Sequence, residues 1–220
     1  MIGLKPIGWL SSFCLALLVH PLPLQSHPHV FVDGGVDFVF DEENLLSALL
    51  MTWLYDEFES LYILSSYGMS VNSEGALTEA DRQELIRYRS NWPIDFDGSA
   101  HLSIDNKNIA LEWPTNLDAE FIDGRLSVTF MRKLTTAVDL TISPATVAFY
   151  ESSYFYDFSV TQHPQMLNAE IQCHTDVVPF APNNQGSVLQ GALMKLNREQ
   201  TPDIENIGAL FADRIVVQCG

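Results

Sequence analysis

Residues 30–40 read VFVDGGVDFVF and residues 45–55 read LLSALLMTWLY, and these two stretches decide the fold. Both are rich in β-branched, aromatic and other apolar residues, which favour extended strands. The Asp41–Asn44 segment between them, DEEN, is typical of a turn. The sequence therefore predicts an antiparallel hairpin, and it predicts a β-bulge at Gly34–Gly35, where side chains are missing from the first strand.

The periodicity of the chain changes after the hairpin. Between Asp56 and about Tyr67 the apolar residues recur at helical spacing, as at Phe58, Leu61 and Tyr62. A polar loop leads to a second predicted helix, from Glu79 to Ser90. These two helices form a predicted helix-loop-helix insertion over residues 56–92.

The rest of the chain is mainly strand-like, with short apolar runs separated by turn residues. Loops are predicted at Asn183–Gly186 and Glu199–Asp203, followed by a short helix over Ile204–Asp213. The predicted fold is α+β: a β-rich single domain with an N-terminal hairpin and the helical insertion. The predicted later strands are His101–Ile104, Ile109–Trp113, Ala119–Phe121, Leu126–Met131, Val138–Ile142, Thr146–Tyr150, Tyr154–Val160 and Arg214–Cys219.

The first 26 residues are typical of a Sec-type secretory signal peptide. Lys5 provides positive charge, Ile7–Val19 is an apolar stretch too short to span a bilayer, and His20–Ser26 is broken by prolines. Cleavage after Ser26 would leave residues 27–220 as a periplasmic domain that is not itself transmembrane. The alternative is an uncleaved N-terminal anchor.

The charge of the chain excludes one class of partner. Lys and Arg number 11 against 28 Asp and Glu, which gives a formal net charge of −17, while 47% of the residues are hydrophobic. Such a protein repels phosphate backbones, so nucleic-acid binding is not expected. The same charge favours the binding of cations.

Cleavage would also leave only two cysteines, Cys173 and Cys219. In an exported protein an isolated pair is most simply a disulfide. The alternative is a thiolate metal site, which His174 beside Cys173 would support.

His27, Pro28 and His29 would form the start of the mature chain. In an extended strand, residues two apart share a face, so His27, His29 and Asp33 are expected to point the same way. Imidazole nitrogens bind zinc and copper, and the α-amine of His27 is a further donor. Pro28 has no amide hydrogen, which excludes a planar copper or nickel site built on backbone nitrogens.

The predicted hairpin brings carboxylates to the same end. Asp56 is expected to face His29, or, with the bulge, Glu57 is expected to face His27. Two histidines with one or two carboxylates form a transition-metal site, for which zinc is the default ion. Two alternatives stay open: the histidines are a solvated terminus, or the two acids serve the first turn of the following helix.

The loop from Ser70 to Asp81 has the outline of an EF-hand calcium loop, with Gly75 at the sharp turn. A regular loop begins with Asp and ends with a bidentate Glu. We therefore predict a degenerate loop, in which even weak calcium binding is not expected. His101 and His163 are expected to be ordinary structural or surface histidines.

No catalytic motif is recognisable, since the chain lacks a nucleophile elbow, a phosphate-binding glycine loop and a helical His-Glu-x-x-His pattern. The sequence therefore does not predict an enzyme.

Three segments carry a family resemblance. His27–Asp33 (HPHVFVD), Thr52–Phe58 (TWLYDEF) and Pro202–Arg214 (PDIENIGALFADR) resemble the bacterial periplasmic family known as domain of unknown function 1007. Members are often labelled periplasmic components of an uncharacterised transport system, and they are commonly associated with nickel/cobalt-type or zinc transporters. The resemblance implies a metal-handling accessory protein. Ser70 and Asp81 depart from the more regular calcium-like loop of other members.

We expect a periplasmic divalent-metal-binding protein that serves an inner-membrane metal transporter. Zinc is the expected ion, with nickel, cobalt or copper as alternatives. His27 and His29 are the expected ligands, Asp56 or Glu57 supplies oxygen, and Asp33 contributes directly or through a ligand. Two alternative functions are an N-terminal-histidine copper enzyme and a metal-independent adaptor that docks on a membrane partner through its acidic face.

Overall fold

The predicted hairpin lies inside the larger of two β-sheets. The structure, a computed structural model, describes residues 28–93, 96, 98–181, 184–193 and 204–220. In it β1 spans Val30–Phe40 and β2 spans Leu46–Tyr55, and the two strands are antiparallel neighbours. The predicted signal peptide, its cleavage site and His27 lie outside the described residues.

The remaining elements follow in chain order and confirm the α+β class. Two helices joined by a loop follow the hairpin, as predicted for the insertion, and most of the later elements are strands. The elements are α1 (Glu57–Ser66), α2 (Glu79–Arg89), β3 (Ala100–Ile104), β4 (Lys107–Asn108), β5 (Thr115–Ile122), β6 (Arg125–Val138), β7 (Ala145–Phe149), β8 (Tyr156–Val160), β9 (Met166–Leu167), β10 (Cys173–Val178), α3 (Asn184–Leu193), a 3-10 helix (Ile207–Leu210) and β11 (Asp213–Cys219).

The strands form two sheets that share one hydrophobic core. The larger sheet has the order β5-β6-β2-β1-β8, with β9 also paired to β1, and the smaller has the order β10-β11-β7-β3-β4. Buried side chains of both sheets, such as Phe38, Phe130 and Phe149, belong to one apolar cluster. The alternate residues of β1 are buried because its even-numbered positions face this core.

The predicted bulge at Gly34–Gly35 is wrong. These residues pair continuously with Trp53 and Thr52, and the irregularity lies instead near the turn, between Val39 and Phe40. There Ser47 is the extra residue, and its hydroxyl donates to the Val39 carbonyl at 3.1 Å. The bulge shifts the register of the whole hairpin, which changes what lies opposite the start of β1.

The two helices of the insertion have the predicted positions, but α1 has an unexpected orientation. Ser60, Ile63 and Leu64 are its buried residues. Phe58 and Tyr62, whose spacing predicted the helix, are 79% and 59% exposed. Periodicity therefore identified the helix correctly but did not show which of its faces packs against the sheet.

The loop between the helices uses its oxygen atoms internally. The Asn72 side chain accepts hydrogen bonds from the amides of Glu74 and Ala76. Thr78 caps α2 by accepting from the Asp81 amide, and its hydroxyl donates to the Asp81 carboxylate at 2.8 Å. The position that would close a calcium site thus takes part in the N-cap of α2, which gives the degenerate loop a structural role.

Several later boundaries differ from the predictions. β6 is one strand of 14 residues that extends the predicted run Leu126–Met131 as far as Val138, and the predicted strand at Val138–Ile142 is wrong, because the chain turns after Val138. The predicted strand at Ile109–Trp113 is reduced to an isolated bridge between Leu111 and Leu134. β10 and α3 were not predicted, and α3 begins within the predicted Asn183–Gly186 loop. Burial and pairing partners decided these elements, and neither can be read from a short apolar run.

Asp213 joins the two sheets where β8 meets β11. Its carboxylate is buried and accepts hydrogen bonds from the amides of Val160 and Phe180, at 2.8 Å and 2.7 Å. Burial raises the pKa of the neighbouring Asp157, and the charge of Asp213 raises it further. The charge of Asp213 therefore acts on Asp157 at this junction.

We expect Asp157→Asn to increase the free energy of unfolding at pH 7. The pKa of Asp157 is higher in the folded protein than in the unfolded chain. Between these two pKa values the folded protein binds more protons, so its stability falls as the pH rises through that range. The gain should vanish below about pH 4, where the carboxylate is protonated in both states. Urea unfolding at pH 7 and pH 3.5 measures this. A loss of stability at pH 7 would contradict the expected repulsion.

Candidate metal centre

The backbone of His29 is fixed where β1 begins. Its amide donates to the Phe155 carbonyl at 2.9 Å, and the amide of Val30 donates to the same oxygen at 3.2 Å. The imidazole packs against the Phe155 ring, with the centroids 4.8 Å apart. His29 is therefore held in place from the β8 side, immediately after the two residues that would start the mature chain.

Asp33 is held by an arginine that the sequence analysis did not single out. Arg125 Nη1 donates to the Asp33 carboxylate at 2.8 Å. The same guanidinium donates to the carbonyls of Tyr55 and Leu54, at 2.7 Å and 2.9 Å. Arg125 thus ties the end of β2 to β1. A lone basic residue after a turn carries no signal for this role in the sequence.

The spacing along β1 separates Asp33 from His29. The two residues lie on the same face, as predicted, but Phe31 lies between them and is 52% exposed. Four residues of extended chain span about 13 Å. Phe31 therefore separates the two residues on that face, and Asp33 pairs with Arg125.

The predicted pairing of Asp56 with His29 is wrong in its register. Val32 lies opposite Tyr55, and the Asp56 amide donates to the Phe31 carbonyl at 3.2 Å. The turn is one residue longer than predicted and the extra residue Ser47 adds one more, which together account for this shift of about two positions. Asp56 instead caps α1, since its carboxylate accepts from the Glu59 amide at 2.8 Å.

Glu57 differs from the other two carboxylates of the predicted ligand set. It is exposed in the first turn of α1, and no hydrogen bond or ion pair within the described part of the chain engages it. Acidic residues at this end of a helix are also favoured by its dipole. Glu57 is therefore the carboxylate of the set that remains available to a ligand.

The described residues contain no group of three or more His, Cys, Asp or Glu side chains placed to hold a metal ion. His27 falls outside those residues, so this finding concerns only His29 and the carboxylates. Of the predicted ligand set, His27, His29 and Glu57 are left, and the Asp56 amide, one residue before Glu57, donates to the Phe31 carbonyl. That set has the chemistry of a zinc or copper site, in which imidazole is the common ligand.

The cysteines and the other histidines are engaged elsewhere. Cys173 and Cys219 form a disulfide between opposed positions of β10 and β11, as predicted. This pairing removes both thiolates from metal binding. The His101 ring stacks on Tyr150 at 3.8 Å, while His163 Nδ1 lies 3.1 Å from the Pro164 carbonyl oxygen.

None of the helices in the described ranges combines the length and apolarity needed to cross a membrane.

Comparison with known proteins agrees with the resemblance. No curated protein matches the sequence. The family described as Protein of unknown function (DUF1007) matches residues 12–219, nearly the whole chain. The chain therefore belongs to the DUF1007 family.

Proposed function

We propose that the protein is a periplasmic accessory protein that binds a divalent metal ion, with zinc as the expected ion, and serves an inner-membrane metal transporter. The observation that carries the proposal is the fixed position of His29, two residues from His27 at the predicted mature N-terminus. The fold positions His29 at the start of β1, and a ligand set at a chain terminus is expected to exchange its metal ion readily. That combination suits delivery better than a closed structural site.

The ligand set of the proposal consists of His27, His29 and Glu57. The α-amine of His27 is a further donor once the signal peptide has been removed. Asp33 and Asp56 are left out because Arg125 and the cap of α1 already engage their carboxylates. Nickel, cobalt and copper remain chemically acceptable, because imidazole and carboxylate donors bind all of them.

The surface of the protein supports a role beside a membrane partner. The formal net charge of −17 raises the local concentration of cations. Phe58, Leu61 and Tyr62 form an exposed apolar face on α1, next to the proposed ligand Glu57. Exposed apolar patches of this kind mark interaction surfaces. Since no catalytic motif is present in the sequence, we propose a binding protein rather than an enzyme.

Titration of the mature protein with Zn²⁺ tests the proposal. Its N-terminus is first verified by sequencing as His27. We expect one high-affinity site by calorimetry, and we expect the His27→Ala/His29→Ala variant to lose it. The matched control is His163→Ala/His174→Ala, which removes two histidines elsewhere and should keep the site. Unchanged stoichiometry in the first variant would contradict the proposal.

Variants of single carboxylates distinguish the proposed ligand Glu57 from Asp33, which is left out of the ligand set. Glu57→Gln should weaken zinc binding about tenfold or more, because it removes a charged oxygen donor. Asp33→Asn should leave zinc affinity nearly unchanged and lower stability instead, because Arg125 loses its ion-pair partner. Redox turnover with bound copper would favour the enzyme alternative.

A further inference from the structure

An open cleft of about 490 Å³ lies between the end of α2 and the turn that joins β7 to β8. Its aromatic lining comes from distant parts of the chain: Trp53 of β2, Tyr88 and Trp92 at the end of α2, and Phe155 and Tyr156 at the start of β8. Small-molecule sites commonly have volumes of roughly 300–1,000 Å³. The cleft is therefore large enough for a compact organic molecule.

The aromatic walls of the cleft are fixed by packing. Trp53 is only 4% exposed, and its ring lies 5.2 Å from Phe130 and 6.1 Å from Trp92. Trp92 and Phe96 are stacked, with centroids 4.2 Å apart. Rings held in this way offer flat apolar surface without a further loss of rotamer freedom, which favours a planar ligand.

Arg89 places a positive charge in this aromatic setting. It lines the cleft, and its guanidinium carbon lies 5.5 Å from the centroid of the Tyr55 ring. A guanidinium has five N–H donors. Within the described residues Arg89 makes one hydrogen bond, from Nη2 to the Tyr55 hydroxyl, and its buried Nε has no partner. Most of the donor capacity of Arg89 is thus unused.

The charge of Arg89 also lacks a direct counterion. Arg82 and Arg125 form ion pairs with Asp118 and Asp33, whereas no carboxylate in the described ranges lies within ion-pair distance of Arg89. A partly buried cation without a paired anion is costly, so the site favours an anion from outside the chain.

We propose that this cleft binds a small planar monocarboxylate, with its carboxylate on Arg89 and its ring against Trp92 and Tyr156. A guanidinium presents parallel N–H groups that match the two oxygens of a carboxylate. A single negative charge fits better than two, because the acidic residue Glu151 lines the same cleft. This site contains none of the proposed metal ligands, although Phe155, which lines the cleft, also packs against His29.

Sodium benzoate is the probe, added to the mature protein without metal and measured by calorimetry and tryptophan fluorescence. We expect benzoate to bind and to change the emission. Benzamide, which has the same shape without the charge, should bind at least tenfold more weakly. Phenyl phosphate, a dianion near neutral pH, should also bind more weakly than benzoate. Equal binding of benzoate and benzamide, or no binding of benzoate, overturns the proposal.

Variants at two arginines of α2 assign the site. Arg89→Gln should reduce benzoate affinity at least tenfold, whereas Arg87→Gln, two residues earlier with a well-exposed side chain, should leave it unchanged. Arg89→Lys keeps the positive charge, and it replaces Arg89→Gln in the binding measurement if Arg89→Gln melts at a much lower temperature. Its affinity should fall between those of the wild type and Arg89→Gln. Wild-type affinity in either folded Arg89 variant contradicts the proposal.

Discussion

Gly34→Ala is expected to lower the free energy of unfolding by about 3 kcal/mol, the upper end of the usual cost of overpacking. A Cβ atom at residue 34 would lie 2.0 Å from the Thr52 carbonyl oxygen, which is backbone and cannot rotate away. β1 lies between β2 and β8, so relief of the clash must separate paired strands of the larger sheet. Urea unfolding of the mature protein, followed by circular dichroism, measures the loss.

Two other glycines serve as controls for Gly34→Ala. At Gly35 the nearest atom to a new Cβ is the Gln162 Cβ at 3.0 Å, a side-chain contact, so Gly35→Ala should cost clearly less. At Gly191, within α3, nothing lies within 4 Å, and Gly191→Ala should stabilise by roughly 0.5–1 kcal/mol. If Gly34→Ala were as stable as the wild type, the close approach of β1 and β2 would be wrong.

Removal of the disulfide is expected to have the second large effect. Cys173 and Cys219 are separated by 46 residues, and closing a loop of that size stabilises by about 4 kcal/mol on the chain-entropy model. Among the described strands β10 pairs with β11 alone and forms an edge of the smaller sheet, so the bond also holds that edge in place. Cys173→Ser/Cys219→Ser should therefore unfold at much lower urea concentration.

Reduction of the wild type is the matched comparison for the disulfide variant. Under dithiothreitol the wild type should fall to the stability of the double-serine variant, while the variant itself should not change. Thiol titration of the native, unreduced mature protein should find no free thiol, because Cys14 lies in the predicted signal peptide. Two titratable thiols, or equal stability of both proteins without reductant, would contradict a native disulfide.

Local patterns predicted most of the elements but not the register that positions the candidate site. The strands at Val30–Phe40 and Leu46–Tyr55 were correctly predicted, because their apolar patterns are long. The opposed residues were wrong, because the placement of the extra residue at Ser47 depends on contacts between the strands. A shift of about two positions moved Asp56 from His29 to the vicinity of Phe31.

The roles of the charged residues also depend on the tertiary structure. Asp33 was expected to contribute to a metal site directly or through a ligand, and the structure pairs it with Arg125, from a distant part of the sequence. Arg89 shares a cleft with Trp53 and Phe155, which lie on separate elements. Such convergence leaves no periodic trace in the sequence, so neither arginine could be assigned a role in advance.

The sequence by itself determined the α+β class, the hairpin, the two helices of the insertion, the cysteine pair and the family. These depend on local periodicity, composition and motifs, which the order of residues contains directly. The tertiary structure alone decided the hairpin register, the exposed face of α1 and the aromatic cleft around Arg89. Those features arise from packing between distant segments, where backbone approach and burial select one arrangement among several that the local pattern permits.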